Sequence, residues 1–226
     1  MAKVLHGTFP GPTGQLEYIL NEAENTPSSS LAAKAAVVCH PHPLYRGTMH
    51  TRIVFHTAKT LAGLGLPTLR FHFRGVGESE GQYDHGRGEM DDLRAAIAQM
   101  QEWSRAAGPQ PLLLAGFSFG ATMTAKLLAG EAHPEIVQAV LLGLPVDSGA
   151  IPSDWRWHGP KLMISGDHDQ FARVESLEAY FTSLPEPKQR RWIAGGDHFL
   201  AGHMEDFRSV LASALLATSY QLPATS

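Results

Sequence analysis

The chain predicts an α/β protein built on a mostly parallel sheet of about eight strands with helices on both faces. Three observations carry this reading. Short apolar, β-branched runs alternate with longer amphipathic stretches. Several of the short runs are nearly continuously apolar, as parallel strands buried on both faces are. No segment repeats at a period of roughly 20–50 residues, which sets solenoids and propellers aside.

In chain order, 4–9 and 15–21 read as a hairpin joined by the Pro- and Gly-rich residues 10–14, and 25–30 as a polar surface loop. Core strands are expected at 35–39, 68–71, 112–116, 139–143, 161–165 and 189–194, and helices at 49–64, 87–106, 119–131, 171–183 and 201–218. In the second helix Met90, Leu93, Ile97, Met100 and Trp103 recur at three- and four-residue spacing, one core-facing stripe. Glu89, Asp91 and Asp92 in its first turn read as a solvated acidic helix start.

The 226 residues are expected to form one domain, 1–226. With 43% hydrophobic and 18% charged residues, the chain is globular rather than disordered. A net charge of −4 disfavours nucleic acid, whose phosphates need a basic face. No apolar stretch approaches the roughly 20 residues of a membrane span, and the first seven residues lack the apolar core of a signal peptide. The single cysteine, Cys39, excludes an intrachain disulfide and reads as a core residue. A cytoplasmic location is the expectation; nothing in the chain selects an oligomeric state.

The chemistry starts at Gly116-Phe117-Ser118-Phe119-Gly120, between an apolar strand and a helical stretch. A serine at the apex of a strand-turn-helix stands clear of the sheet, and the flanking glycines let backbone approach. That context favours a nucleophile over a serine that merely caps the helix. A serine hydroxyl needs a neighbouring base. His198, in the glycine-rich loop Gly195–Phe199 after the last strand, lies at the same carboxyl edge of the sheet. The imidazole needs a carboxylate to fix its tautomer. Asp169 is favoured over Asp167, which is expected to be spent on backbone N–H groups of the turn.

The oxyanion needs N–H donors. Phe119 supplies one from the helix start, and the loop His40-Pro41-His42-Pro43 the second. Pro41 and Pro43 have no N–H, so His42 is the expected donor, with Leu44 behind it. An X-Pro bond in that loop is a candidate for a cis peptide. His40 and His42 with Asp167, His168, Asp169 and His198 could suggest a metal site, but the serine turn argues against it. Residues Gly75–Gly81 resemble a phosphate loop only superficially and read as a flexible turn beneath the site. Trp155 and Trp157 either rim the site or seal the core edge.

Together these segments resemble the α/β-hydrolase superfamily. The likeness is to small bacterial hydrolases related to dienelactone hydrolase that carry a His-Pro-His-Pro loop. It rests on His40-Pro41-His42-Pro43 with Gly47-Thr48-Met49, on 69–81, and on Ala115–Gly120. It implies the α/β-hydrolase fold and a Ser-His-Asp triad of Ser118, Asp169 and His198, in the chain order of that superfamily. It also implies hydrolysis of an ester or related acyl bond in a small-molecule acyl substrate, without metal or organic cofactor. Dienelactone hydrolases carry cysteine at the elbow; Ser118 departs from that, so their substrate is not carried over. The segment 144–160 is too short for a large helical lid. The expected activity is carboxylic-ester hydrolysis, falling away below roughly pH 6–7 because the base must be neutral. A thioesterase or peptidase with the same triad, or a binding protein on the same fold, are the alternatives.

Overall fold

A computed structural model of the chain describes residues 3–26, 31–104, 108–130, 132–148 and 151–217. Its eight strands are β1 (Val4–Gly11), β2 (Gly14–Asn21), β3 (Ala35–Cys39), β4 (Thr68–Phe71), β5 (Leu112–Phe117), β6 (Ile136–Leu142), β7 (Lys161–Gly166) and β8 (Lys188–Ile193). The helices are α1 (Arg52–Gly63), α2 (Gly88–Trp103), α3 (Phe119–Gly130), α4 (Val174–Ser183) and α5 (Met204–Ala217). The strands form one sheet in the order β1-β2-β4-β3-β5-β6-β7-β8. β1 and β2 pair antiparallel, as do β2 and β4; every later pair is parallel.

From β3 the chain moves to one side of the sheet, towards β4, and from β5 to the other, towards β6. The reversal opens a crevice at the carboxyl ends of β3 and β5, where open α/β sheets bind ligands. The loops 40–47 and 117–119 both leave the sheet there.

Alternation along each strand divides the core into two layers. Ala35, Val37 and Cys39 face a cluster that includes Leu93, Ile97 and Met100 of α2 and Leu127 and Leu128 of α3. Ala36 and Val38 face Ile53, Val54 and Leu61 of α1 and Phe207 and Leu211 of α5. α1, α2 and α5 each bury one stripe because their apolar residues recur every three or four positions, whereas α3 is buried almost all round; full burial of a Leu or Phe contributes about 1.5–3 kcal/mol. β8, at the edge, exposes Arg190 and Arg191, charges that discourage edge-to-edge pairing.

All the expected strands and helices are present, with shifted ends. The hairpin turn is tighter than expected: Gly11 pairs Gly14, leaving only Pro12 and Thr13 between. α1 starts three residues late because Thr48 and Thr51 close a turn first, Thr51 N–H donating to the Thr48 carbonyl at 3.0 Å. α4 also starts three residues late, since Phe171 N–H is held by the Asp169 carboxylate at 2.8 Å. Residues 27–30 of the expected polar loop, 105–106 and 131 at two helix ends, and 218 lie outside the described residues.

Three expectations are corrected and one open alternative is settled. Glu89 and Asp92 are not solvated: both are fully buried, and only Asp91 is exposed. Glu89 accepts the N–H groups of Asp84 and Gly86, and Asp92 takes the Arg74 guanidinium through both carboxylate oxygens. The turn at 75–81 is tied to β2 rather than loose. Ser79 accepts the Glu17 N–H at 2.9 Å and donates to the His72 carbonyl at 2.8 Å, while Glu80 N–H reaches the Gln15 carbonyl. Trp155 and Trp157 seal the core edge: Trp155 is buried, donates to the Tyr180 hydroxyl at 2.9 Å, and both indoles flank the Lys161 ammonium. The cis peptide lies at Glu186-Pro187, not in the His-Pro-His-Pro loop.

Candidate active site

β5 ends at Phe117 and α3 begins at Phe119, so Ser118 alone makes the turn, with φ +54°, a conformation costly for a non-glycine residue. The turn is pinned on both sides. Ser118 N–H donates to the Leu142 carbonyl at 2.9 Å, and the Ser118 carbonyl accepts the Thr122 N–H at 2.9 Å. The flanking glycines are required by space. A Cβ on Gly116 would lie 2.2 Å from the Gly120 carbonyl oxygen, and one on Gly120 would lie 2.4 Å from the Cys39 carbonyl oxygen. The elbow is thus wedged against the end of β3.

Ser118 Oγ lies 3.0 Å from His198 Nε2, and His198 Nδ1 lies 2.8 Å from Asp169 Oδ2. The structure brings together three side chains that the sequence separates by up to 80 residues. The imidazole is 4% exposed and the Asp169 carboxylate is sealed behind it. The second carboxylate oxygen accepts the Phe171 N–H, so Asp169 is fixed at both oxygens. With Nδ1–H donated to the carboxylate, Nε2 presents a lone pair to the serine hydroxyl.

Asp167 has a different partner from the one expected. Its carboxylate reaches past its own turn to the N–H of Gly195, in the loop that carries His198. Gln170 was not singled out by sequence: its side-chain oxygen accepts the His198 N–H at 3.2 Å. A glutamine beside two aspartates carries no signal of that role; only the meeting of the two loops reveals it.

In the 40–47 loop, Leu44 N–H donates to His42 Nδ1 at 3.2 Å, and Tyr45 and Gly47 N–H groups go to the His42 carbonyl. Leu44 is therefore not a spare oxyanion donor. His42 precedes the 3₁₀ turn Pro43–Tyr45 and Phe119 opens α3, so neither N–H has an acceptor within its own helical segment. Both residues line the cavity that holds Ser118. With Nδ1 accepting, His42 Nε2 carries the proton and donates to the Tyr83 hydroxyl at 3.1 Å. Burial holds the His42 imidazole below its usual pKa, which keeps this neutral tautomer in place.

His40 does not face the cavity as a ligand. It is fully buried, with Nδ1 directed at the Pro41 carbonyl at 2.6 Å and Nε2 accepting the Phe73 N–H at 3.0 Å. Cys39 is buried, and burial pushes its thiol well above the usual range, which makes it inert.

The cavity over Ser118 measures about 730 Å³, within the range of small-molecule sites. Phe171 and Phe199, each about half exposed, stand beside the His198 ring with centroids 4.6 and 5.2 Å away. Trp155, Trp157 and the 75–81 turn take no part in its walls. Between β6 and β7, the described residues hold only the short 3₁₀ turn Val146–Ser148, and among them no helical lid covers the mouth.

The sheet order, the elbow after β5 and the loops after β7 and β8 define the α/β-hydrolase fold. The chain belongs to the alpha/beta hydrolase domain family, whose model matches residues 47–213. It is similar to an alpha-beta serine hydrolase homologue from Coxiella burnetii, at 33% identity and a TM-score of 0.82, covering 95% of this chain and 98% of that one. XC6422 from Xanthomonas campestris, described as an a/b serine hydrolase without lid, shares 31% identity with a TM-score of 0.76, over 99% of this chain and 97% of its own. An uncharacterized protein of Rickettsia prowazekii is 31% identical over 217 residues, 92% of this chain and 87% of the relative.

Proposed function

We propose that this protein is a carboxylic-ester hydrolase that works through an acyl-enzyme on Ser118. One observation carries the reading: the hydrogen-bonded line Ser118 Oγ, His198 Nε2, His198 Nδ1, Asp169 Oδ2 opens onto an uncovered cavity. Ser118 Oγ attacks the ester carbonyl carbon as its proton passes to His198 Nε2. The carbonyl oxygen gains the negative charge, and the N–H groups of Phe119 and His42 hold it. The positive end of α3 adds to that field, and one such donor is worth about 3 kcal/mol in the transition state.

Collapse of the tetrahedral intermediate breaks the bond to the alcohol oxygen, which takes the proton from His198. Water then loses a proton to the same imidazole, attacks the acyl carbon, and the serine leaves with that proton. Asp169 stabilises the imidazolium in both halves without being protonated itself. The open mouth suits small to medium acyl substrates rather than a lipid held under a lid.

The test is hydrolysis of p-nitrophenyl butyrate, together with labelling by a fluorophosphonate that reacts only with an activated serine. Turnover and labelling are expected in the native protein, with both abolished in Ser118→Ala. Undiminished turnover in Ser118→Ala would overturn the mechanism. Absence of labelling in the native protein would favour a binding protein on this fold.

A further inference from the structure

Ser118, Thr122 and Lys126 follow one another at four-residue intervals, so they share one face of α3 and its elbow. Thr122 and Lys126 both line the cavity above Ser118. At 1.5 Å per residue, the Lys126 backbone lies about 12 Å along the axis from the nucleophile. Long helical side chains lean back towards the N-terminus, which brings the ammonium to roughly 6–10 Å from the reacting carbon.

The charges around this cavity are one-sided. Arg46 and Lys126 line it, and among the described residues no aspartate or glutamate does. Outside the cavity some basic side chains are paired, as Arg74 with Asp92 and Arg190 with Glu178, and others stand in solvent; what sets Lys126 apart is its place in this wall. Lys126 has no carboxylate partner among the described residues. A chain of net charge −4 thus sets two cations in the wall of the cavity that holds Ser118.

Resting on the ester-hydrolase reading above, we propose that Lys126 is a specificity-determining residue for esters whose acyl chain ends in a carboxylate. The substrate class is a half-ester of a dicarboxylic acid, with an acyl chain of about three to six carbons, since the ion pair itself takes up about 3 Å of that distance. The departing alcohol must sit against His198 Nε2 to receive its proton, so the acyl chain is the half free to run along the α3 face. A lone ammonium without a nest of N–H donors suits a monoanion better than a phosphate dianion, which calls for several donors. Arg46, at the exposed end of the 3₁₀ turn, adds to the attraction that steers the anion in.

The experiment compares mono-p-nitrophenyl adipate, a free acid, with its methyl ester, which has the same chain and no charge. The native protein is expected to prefer the acid by about tenfold in kcat/KM, mainly through KM, with the preference shrinking as salt is raised. Lys126→Met is expected to abolish the preference and Lys126→Arg to restore most of it, which a merely structural lysine would not do. An acid-to-methyl-ester ratio unchanged in Lys126→Met would overturn the proposal. Turnover of the methyl ester with no preference for the acid would sink it too, while leaving the ester-hydrolase reading intact. Failure of that reading shows separately, as methyl-ester turnover that survives Ser118→Ala.

Discussion

The carboxylate of Asp167 accepts the backbone N–H of Gly195 at 2.7 Å, joining the loop after β7 to the loop after β8. His168 N–H adds a bond to the Gly196 carbonyl at 2.9 Å, and Gln170 holds the His198 N–H. The two aspartates of this loop therefore divide the work. Asp167 sets where the histidine loop lies, and Asp169 meets the imidazole itself.

That division predicts different phenotypes. Asp169→Asn is expected to lower kcat on an aryl ester by about 10³–10⁴-fold with little loss of stability, because the imidazole tautomer is wrong. Asp167→Ala is expected to cost about 1 kcal/mol of stability and a smaller loss of activity, since it removes one anchoring hydrogen bond. Steady-state kinetics with thermal melts distinguishes the two; equal losses of kcat would contradict the assignment.

Gly120→Ala tests the wedge at the elbow. Its Cβ would meet the Cys39 carbonyl oxygen at 2.4 Å, backbone that cannot swing aside. Overpacking of this kind costs about 1–3 kcal/mol, and it is expected to move the Phe119 N–H away from the proposed oxyanion position. A lowered melting temperature with strongly reduced kcat is expected, and native kinetics in a folded variant would refute the close fit.

The Arg74–Asp92 pair is a buried ion pair outside the site, with the Asp92 side chain fully buried and Arg74 only 7% exposed. The Asp92 carboxylate raises the Arg74 pKa further. Removing one partner leaves the other charge buried and alone, so Asp92→Ala is expected to lose about 3–5 kcal/mol in a urea titration. The double replacement Arg74→Met with Asp92→Leu is expected to recover much of that loss. A cost under 1 kcal/mol for Asp92→Ala would mean that the guanidinium finds water.

His40 sets an acid limit on stability. Burial lowers its pKa to about 3, against an unfolded value near 6.5. Below about pH 6.5 the unfolded chain binds a proton there that the folded chain refuses, so unfolding becomes easier as pH falls towards 3. The contribution is present in full above pH 6.5 and is lost at up to about 1.4 kcal/mol per pH unit below it. NMR titration is expected to show the His40 ring still neutral at pH 5, its Nε2 held by the Phe73 N–H. A His40 midpoint near 6 would remove this account of acid sensitivity.

The sequence by itself determined what local pattern encodes. It placed the strands and helices, because apolar periodicity is written in neighbouring residues. It also placed the elbow, because the apolar strand, the Gly-Phe-Ser-Phe-Gly turn and the helical stretch follow one another directly in the chain. Asp169 and His198 were legible from their positions after the last strands, since a parallel sheet carries all such loops to one edge. Tertiary structure decided everything that depends on a distant partner. Glu89 and Asp92 look like an exposed helix start until Arg74 and the N–H groups of Asp84 and Gly86 cover them. Trp155 and Trp157 could have rimmed the site until Tyr180 and Lys161 claimed them. The physical reason is the same in each case: a polar or aromatic side chain settles where its hydrogen bonds and contacts are met, and those partners come from loops and elements whose folded position the neighbouring residues do not give.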